Sequence, residues 1–368
     1  MNQNQNLNLN EIIKYLQNYS GKIKIMEVCG THTFSIFKNG IRTILPDGIK
    51  LVSGPGCPVC VTSPSYIDVL VDYANGDKTN IKTKTEVLSF GDMFKVPGSR
   101  FSLADAKTQG ARVRLMYSPF EVLTLSKEYP NSRFIIAAVG FETTAPVYAA
   151  LIEALITEDI QNVKLCTALK TMPESLDYIC ETEEVDAFLC PGHVSAIIGS
   201  EAYEPLCEKH KKPFVIAGFE AEHILAAIYE IIRQKEYGRH EVKNLYPSVV
   251  SAKGQTKALK LLEKYFIKTN TFWRGIGEIK NSGYMLKSKY ARFSADRFIP
   301  GIISEASEAK PEVLPDGCRC ADVMLGRISP DECALFGKIC TPENPVGTCM
   351  VSSEGACGIW MSGWEGQQ

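Results

Sequence analysis

The sequence predicts an α/β protein with two similar parallel-sheet lobes and a small cysteine-rich iron–sulfur module at the C-terminus. Three observations lead there. From about residue 20 to 235, apolar β-type runs alternate with segments of helical period, the pattern of parallel α/β sheets. Some of these runs, such as 133–139 (RFIIAAV), are continuously apolar, as a strand covered on both faces must be. Finally, six of the thirteen cysteines fall between Cys318 and Cys357, where an even distribution would leave one or two, and there helical and strand periodicity fades. The expected divisions are 1–130, 131–235 and 236–368, the last comprising a mixed connecting region and the cysteine-rich module.

Bulk properties narrow the function. The chain has 368 residues, 45% hydrophobic and 22% charged, with a net charge near -2. That is ordinary for a soluble globular protein and leaves no basic footprint for nucleic acid. No apolar stretch reaches the length of a membrane span. The first residues, MNQNQNLNLNEIIKYLQNY, lack the charged and apolar parts of a secretory signal, so a cytoplasmic location is expected. In a reducing compartment, cysteines serve as metal ligands, redox centres or buried small hydrophobes more often than as structural disulfides.

The elements follow in order. Residues 1–10 form a polar tail, and 11–19 place Ile12, Ile13, Leu16 and Tyr19 on one helical face. An apolar run at 23–28 leads into a Cys29-Gly30-Thr31-His32 turn, and a second at 49–52 into Gly54-Pro55-Gly56-Cys57-Pro58-Val59-Cys60. A helix at 63–74, strands at 85–90 and 113–117, and a helix at 119–129 complete the first lobe. The second begins with the strand at 133–139, followed by Gly140-Phe141-Glu142-Thr143-Thr144-Ala145-Pro146 and a helix to 155. Strands at 163–169, 187–190 and 213–217 alternate with helices at 173–180 and after 220; Pro191-Gly192-His193-Val194-Ser195 follows the strand at 187–190. Beyond 237 the signal weakens, with a helix expected at 249–266 and short strands within 273–292.

Chemistry concentrates in two places. Loops just past strand ends are where open α/β sheets hold ligands, so Cys29, Cys57, Cys60 and His32 are placed to converge; soft sulfur with a nearby nitrogen suits iron, zinc or redox chemistry. Cys57 and Cys60 have the two-residue spacing of redox dithiols. Against this stand buried small cysteines and a structural histidine. The threonines and proline of the Glu142 loop read as helix capping, which leaves a carboxylate at a strand end unexplained; His193 has the same placement. Cys166, Cys180 and Cys190 read as core, and Lys209–Lys212 as solvated surface. In the tail, the spacing Cys318-x-Cys320-x12-Cys333-x6-Cys340-x8-Cys349-x7-Cys357 lacks paired zinc knuckles and the bacterial ferredoxin run. It fits one four-thiolate iron–sulfur cluster plus a spare pair, with zinc or metal-free buried cysteines as the alternatives. No phosphate-binding, dinucleotide, HExxH or GxSxG motif is present, which removes support from hydrolase and nicotinamide readings.

Taken together, CGTHT…GIRTILP, GPGCPVCVT, GFETTAP, PGHVS and CALFGKICTPENPVGTCMVSSEGAC resemble the HypD family of hydrogenase maturation factors, in the family's order and over nearly the whole chain. Where that family often has a second histidine, this chain has Phe34. The resemblance implies two similar α/β domains plus a [4Fe-4S] domain. It implies a scaffold, rather than a conventional turnover enzyme, that assembles the Fe(CN)2CO moiety of [NiFe]-hydrogenase with a HypC-like partner. Cyanide would come from a HypE-like donor supplied by HypF, and the hydrogenase large subunit would be served indirectly. Carried over, the iron-handling thiols fall on Cys29, Cys57 and Cys60. The cluster ligands would be Cys320, Cys333, Cys340 and Cys357, with Cys318 and Cys349 as a redox pair passing electrons to the cleft thiols. Glu142, His32 and His193 are expected to line the cleft as hydrogen-bond partners or proton donors. The competing readings are an iron–sulfur disulfide reductase acting on a thioredoxin-like partner, which has no use for Cys29, and a zinc-stabilised binding module.

Overall fold

The computed structural model describes residues 8–76, 84–295 and 316–364. It is α/β, with two mainly parallel sheets in two compact units, each discontinuous in sequence. One unit comprises Met1–Cys57, Ser175–Gln255 and Gly317–Gln368; the other comprises Pro58–Glu174 and Thr256–Asp316.

The first unit is built on a five-stranded, wholly parallel sheet. Its strands are β1 (Ile23–Glu27), β2 (Ile49–Ser53), β7 (Ala187–Cys190), β8 (Phe214–Ile216) and β9 (Val242–Asn244), in the order β2-β1-β7-β8-β9. The helices α1 (Leu9–Gln17), α2 (Gly30–Lys38) and α11 (Ala221–Glu236) bury their apolar faces against it. Ile12, Leu16, Ile25, Ile36, Leu189, Val215, Ile228 and Ile232 share one core. Asn8 and Glu11 form a capping box that starts α1 ahead of the expected Glu11; residues 1–7 of the expected tail lie outside the described residues. The Cys-rich segment belongs to this unit. It carries three short helices, Cys320–Met324, Thr348–Val351 and Ala356–Trp364.

The second unit holds a six-stranded sheet, β10-β11-β6-β5-β3-β4. Strands β3 (Lys84–Ser89), β4 (Val113–Leu115), β5 (Ser132–Gly140) and β6 (Val163–Lys170) are parallel. The hairpin β10 (Phe266–Trp273) and β11 (Gly277–Leu286) adds antiparallel to β6. Phe134 and Ile136 of β5 share its core with Tyr148, Leu151 and Ile152 of helix α7 (Ala145–Thr157) and Leu262 and Tyr265 of helix α12 (Thr256–Tyr265).

Three expectations change. The compact units do not divide at 130/131 and 235/236, because β1 pairs with β7 rather than with β3. Alternation of strands and helices gives element order, whereas hydrogen-bonded pairing across long crossovers decides which strands share a sheet. The Cys29–His32 turn is the start of α2, with Cys29 as its N-cap residue. The helix expected over 249–266 begins only at Thr256. Gly254 (φ 63°) is left-handed, and a Cβ there would collide with Ile197 and Gly199, so the helix cannot run through it.

Candidate functional site

In the first unit the thiol loops leave one edge of one sheet. Glu27, the last residue of β1, stands in register with Ser53 of β2 and Leu189 of β7. The CGTH, GPGCPVC and PGHVS loops therefore depart side by side from parallel strands. Strand order reverses between β1 and β7, and crevices for ligands open at such switch points. Cys29 is half-buried at the N-cap of α2. Burial pushes its thiol up, while the Thr31 hydroxyl and the backbone N–H groups of Thr31 and His32 pull it down. Burial outweighs these donors, so the free thiol stays above its ordinary range and gives up its proton when it binds a metal.

Glycines bring the loops together. A Cβ on Gly56 would lie 2.7 Å from the Cys29 backbone nitrogen, and one on Gly30 would lie 2.5 Å from the Glu354 carbonyl oxygen. Gly56→Ala is therefore expected to destabilise the protein by about 1–3 kcal/mol, the range for overpacking, with a lower midpoint of thermal unfolding. An unchanged midpoint would contradict the close approach. Cys57 and Cys60 are buried and joined in a disulfide, and the other eleven cysteines are not disulfide-bonded.

His32 is fully buried, and its Nε2 lies 3.1 Å from the Gly218 carbonyl oxygen. A carbonyl oxygen only accepts, so Nε2 carries the proton and Nδ1 keeps its lone pair. Nδ1 has no partner among the described residues. Burial lowers the His32 pKa to about 4, so the ring is neutral at pH 7. Phe219, just past β8, lies between His32 and the exposed His193, with ring centroids 4.8 and 4.3 Å away. The structure thus brings Cys29, Cys57, His32 and His193 to one sheet edge.

Glu142 belongs to the second unit, in the loop between β5 and α7. Thr144 is the N-cap residue without a side-chain cap bond, and proline occupies the first turn. Glu142 is 1% exposed; its Oε1 accepts from the Met172 N–H at 2.8 Å, and its Oε2 has no partner among the described residues. Burial, reinforced by Glu174, raises its pKa to about 7 despite opposing backbone hydrogen bonds. Its effect on stability is the opposite of that of His32. The extra proton affinity of Glu142 stabilises the fold below about pH 4.5, and this contribution is lost as pH rises through 7. The neutral His32 stabilises the fold above pH 6.5, and that contribution is lost as pH falls through 4. Glu142→Gln is expected to remove the first slope from the pH–stability curve and His32→Gln the second, read as variant-minus-wild-type differences in denaturant midpoint. Parallel curves would contradict the assigned protonation states.

The six C-terminal cysteines line one cavity together with Val323, Leu335, Phe336 and Arg319. Cys349 Sγ lies 2.9 Å from Cys357 Sγ. Cys318, then Cys349 and burial, hold the Cys320 thiol well above its ordinary range. A Cβ on Gly347 would overlap the sulfurs of Cys318 and Cys320. Cys340 Sγ accepts from the Val346 N–H at 3.4 Å. Crowded protonated thiols in an apolar pocket are the donor set that a metal cluster takes up by displacing protons. The residues therefore fit an iron–sulfur cluster.

Of the other cysteines, Cys190 and Cys207 are buried as core, and Cys180 is half-buried. Lys209 is ion-paired with Asp177 and Glu181 rather than simply solvated. Sequence reasoning did not single out Phe219, nor the ion pair of Glu27 with Arg42 at 3.0 Å. A carboxylate closing the apolar run 23–28 was the available signal.

Fold and site together define an α/β protein that presents thiols on adjacent parallel-strand ends and carries a separate six-thiol pocket. The family model HypD, described as the hydrogenase formation hypA family, matches residues 5–363. A putative hydrogenase expression/formation protein of Methanocaldococcus jannaschii is 40% identical over 340 residues, covering 92% of this chain and 91% of its own. The hydrogenase maturation factors HypD of Azotobacter vinelandii and Escherichia coli K12 are each 38% identical, covering 92% of this chain and 88% of their own. The chain belongs to the HypD family of hydrogenase maturation factors. Among the described residues no helix is long and apolar enough to cross a membrane.

Proposed function

We propose that this chain is a cytoplasmic scaffold on which, with a HypC-like partner, the Fe(CN)2CO moiety of [NiFe]-hydrogenase is assembled. The observation that carries this reading is the convergence of the Cys29 and Cys57 loops on one sheet edge, locked by Gly56 against Cys29. Iron is the cargo here. Cys29, presented by backbone donors at the start of α2, binds it as thiolate, sharing it with the partner. Cys57 and Cys60 join as ligands only after their disulfide takes up two electrons and two protons, and each thiol then gives up its proton on binding iron. His32, neutral with a bare Nδ1, serves as an acceptor beside Cys29 rather than as a proton donor. Glu142, protonated up to about pH 7, serves as a donor in its own unit. Cyanide arrives from a HypE-like protein that depends on HypF.

In the C-terminal module, Cys320, Cys333, Cys340 and Cys357 hold a [4Fe-4S] cluster, and Cys318 and Cys349 remain as a thiol pair. When bound, the cluster supplies single electrons for keeping thiols reduced. The test is anaerobic purification of the chain alone and with a HypC-like partner, followed by iron and sulfide analysis. About four irons and four sulfides alone, with further iron in the complex, is the expected result. Zinc in place of iron would overturn it.

The Cys57–Cys60 disulfide favours one other reading, an iron–sulfur disulfide reductase acting on a thioredoxin-like partner. It requires Cys57 and Cys60 but not Cys29, so reduction of a partner disulfide with no iron uptake would select it.

A further inference from the structure

Glu27 closes β1 two residues before Cys29, and its register partner Ser53 closes β2 immediately before the Gly54–Cys57 loop. The Glu27 side chain is 1% exposed. Its Oε1 accepts from Arg42 Nη2 and from Ser53 Oγ, each at 3.0 Å. Arg42 is the only cation paired with it among the described residues. The same guanidinium lies 5.1 Å from the ring centroid of Trp360, in the helix Ala356–Trp364 that carries Cys357 near its start. Phe37 of α2 packs on that ring at 5.8 Å, and Gly363, one turn further along, leaves room for Phe37. Arg42 thus holds the end of β1 directly, reaches the end of β2 through the shared Glu27 carboxylate, and lies against an aromatic ring of the cysteine-rich module. The contact to Glu27 is the one hydrogen bond from Nη2, while Arg42 Nη1 and Glu27 Oε2 have no partner among the described residues. A planar guanidinium can donate from its edge while its face lies against a ring, a geometry a compact ammonium does not reproduce.

We propose that Glu27, Arg42 and Trp360 form a positioning clamp that ties the seating of the helix Ala356–Trp364 to the placement of the Cys29 and Cys57 loops. This deepens the scaffold reading and rests on it for its biological meaning, while the clamp itself is a property of the fold. Arg42 is the shared piece. If the helix unseats, Arg42 loses its stacking partner and the loops that Glu27 and Ser53 anchor loosen. Packing of Gly30 against Glu354 adds a second contact between the same two regions.

The test is the rate at which iodoacetamide modifies Cys29 in the full chain, followed by peptide mass spectrometry, with buried Cys207 as the internal reference. Trp360→Leu and Arg42→Lys are each expected to raise the Cys29 rate about tenfold, the equivalent of about 1.4 kcal/mol of local opening, without moving Cys207. The double variant should react no faster than either single one, because both break the same link. Trp360→Phe, which keeps the stacking face, should stay within about twofold of wild type, since a phenyl ring still offers a cation–π partner. An unchanged Cys29 rate in Trp360→Leu, additive effects in the double variant, or Cys29 and Cys207 accelerating together would overturn the clamp. Arg42→Lys, which keeps a charge on Glu27, carries the test if Trp360→Leu does not fold. Alkylation needs no bound metal, so a chain found without an iron–sulfur cluster would count against the scaffold reading and leave these rates to decide the clamp.

Discussion

A Cys29→Ala protein is expected to keep its iron–sulfur cluster and lose all additional iron from the complex with its partner. Cys29 sits at the N-cap of α2, where the sulfur meets backbone donors and the positive end of the helix. No other thiol stands at the start of α2: Cys57 and Cys60 lie on the neighbouring loop and supply ligands only once reduced, and the remaining cysteines of the unit are Cys180, Cys190, Cys207 and those of the cysteine-rich module. Removing one small half-buried side chain costs the fold little: about 1 kcal/mol, a typical value for a point substitution. The effect on iron should therefore be complete while the melting temperature barely moves. Cluster iron counted in the chain alone separates the two pools. Retention of the additional iron in Cys29→Ala would remove the thiol from the iron site.

Stripping iron from the cysteine-rich module with a chelator should have the largest effect on stability, and it should be local. Six thiols face one another around a single pocket, and Cys320 is held protonated by its neighbours. Val323, Leu335 and Phe336 of this module pack around that pocket. A cluster replaces the thiol protons with bonds to iron, so its binding energy becomes folding energy for the module. Its loss should lower the protection of amides in residues 317–364 by roughly 3 kcal/mol or more on the scale of structural metal sites. Core strands of the second unit should keep theirs. Hydrogen exchange with and without chelator checks this, and equal protection in both samples would contradict a structural role for the metal.

Much of the fold was legible because parallel strands buried on both faces write themselves as apolar runs. Residues 133–139, 163–169 and 187–190 became β5, β6 and β7 within a residue or two. The thiol loops were placed past strand ends by the same signal. Pairing was not legible. Nothing local in β1 says that it lies beside β7, more than 150 residues away, rather than beside β3. Helix α2 was hidden because Gly30, Thr31 and Thr33 have poor helix propensity, and its apolar face includes the buried His32. The tail's six cysteines announced a cofactor pocket by crowding, but spacing alone does not say which four face a cluster. The protonation of Glu142 and His32 depends on burial in three dimensions, which a strand-end motif suggests only as placement.

The measurement closest to the central claim is infrared spectroscopy of the anaerobic complex between this chain and a HypC-like partner, prepared with the cyanide-supplying proteins present. The account predicts stretching bands of metal-bound cyanide and carbon monoxide in the wild-type complex and none when Cys29 is replaced. A cluster-loaded wild-type complex with no such bands would contradict the scaffold and leave the Cys57–Cys60 couple as the working part of a disulfide reductase.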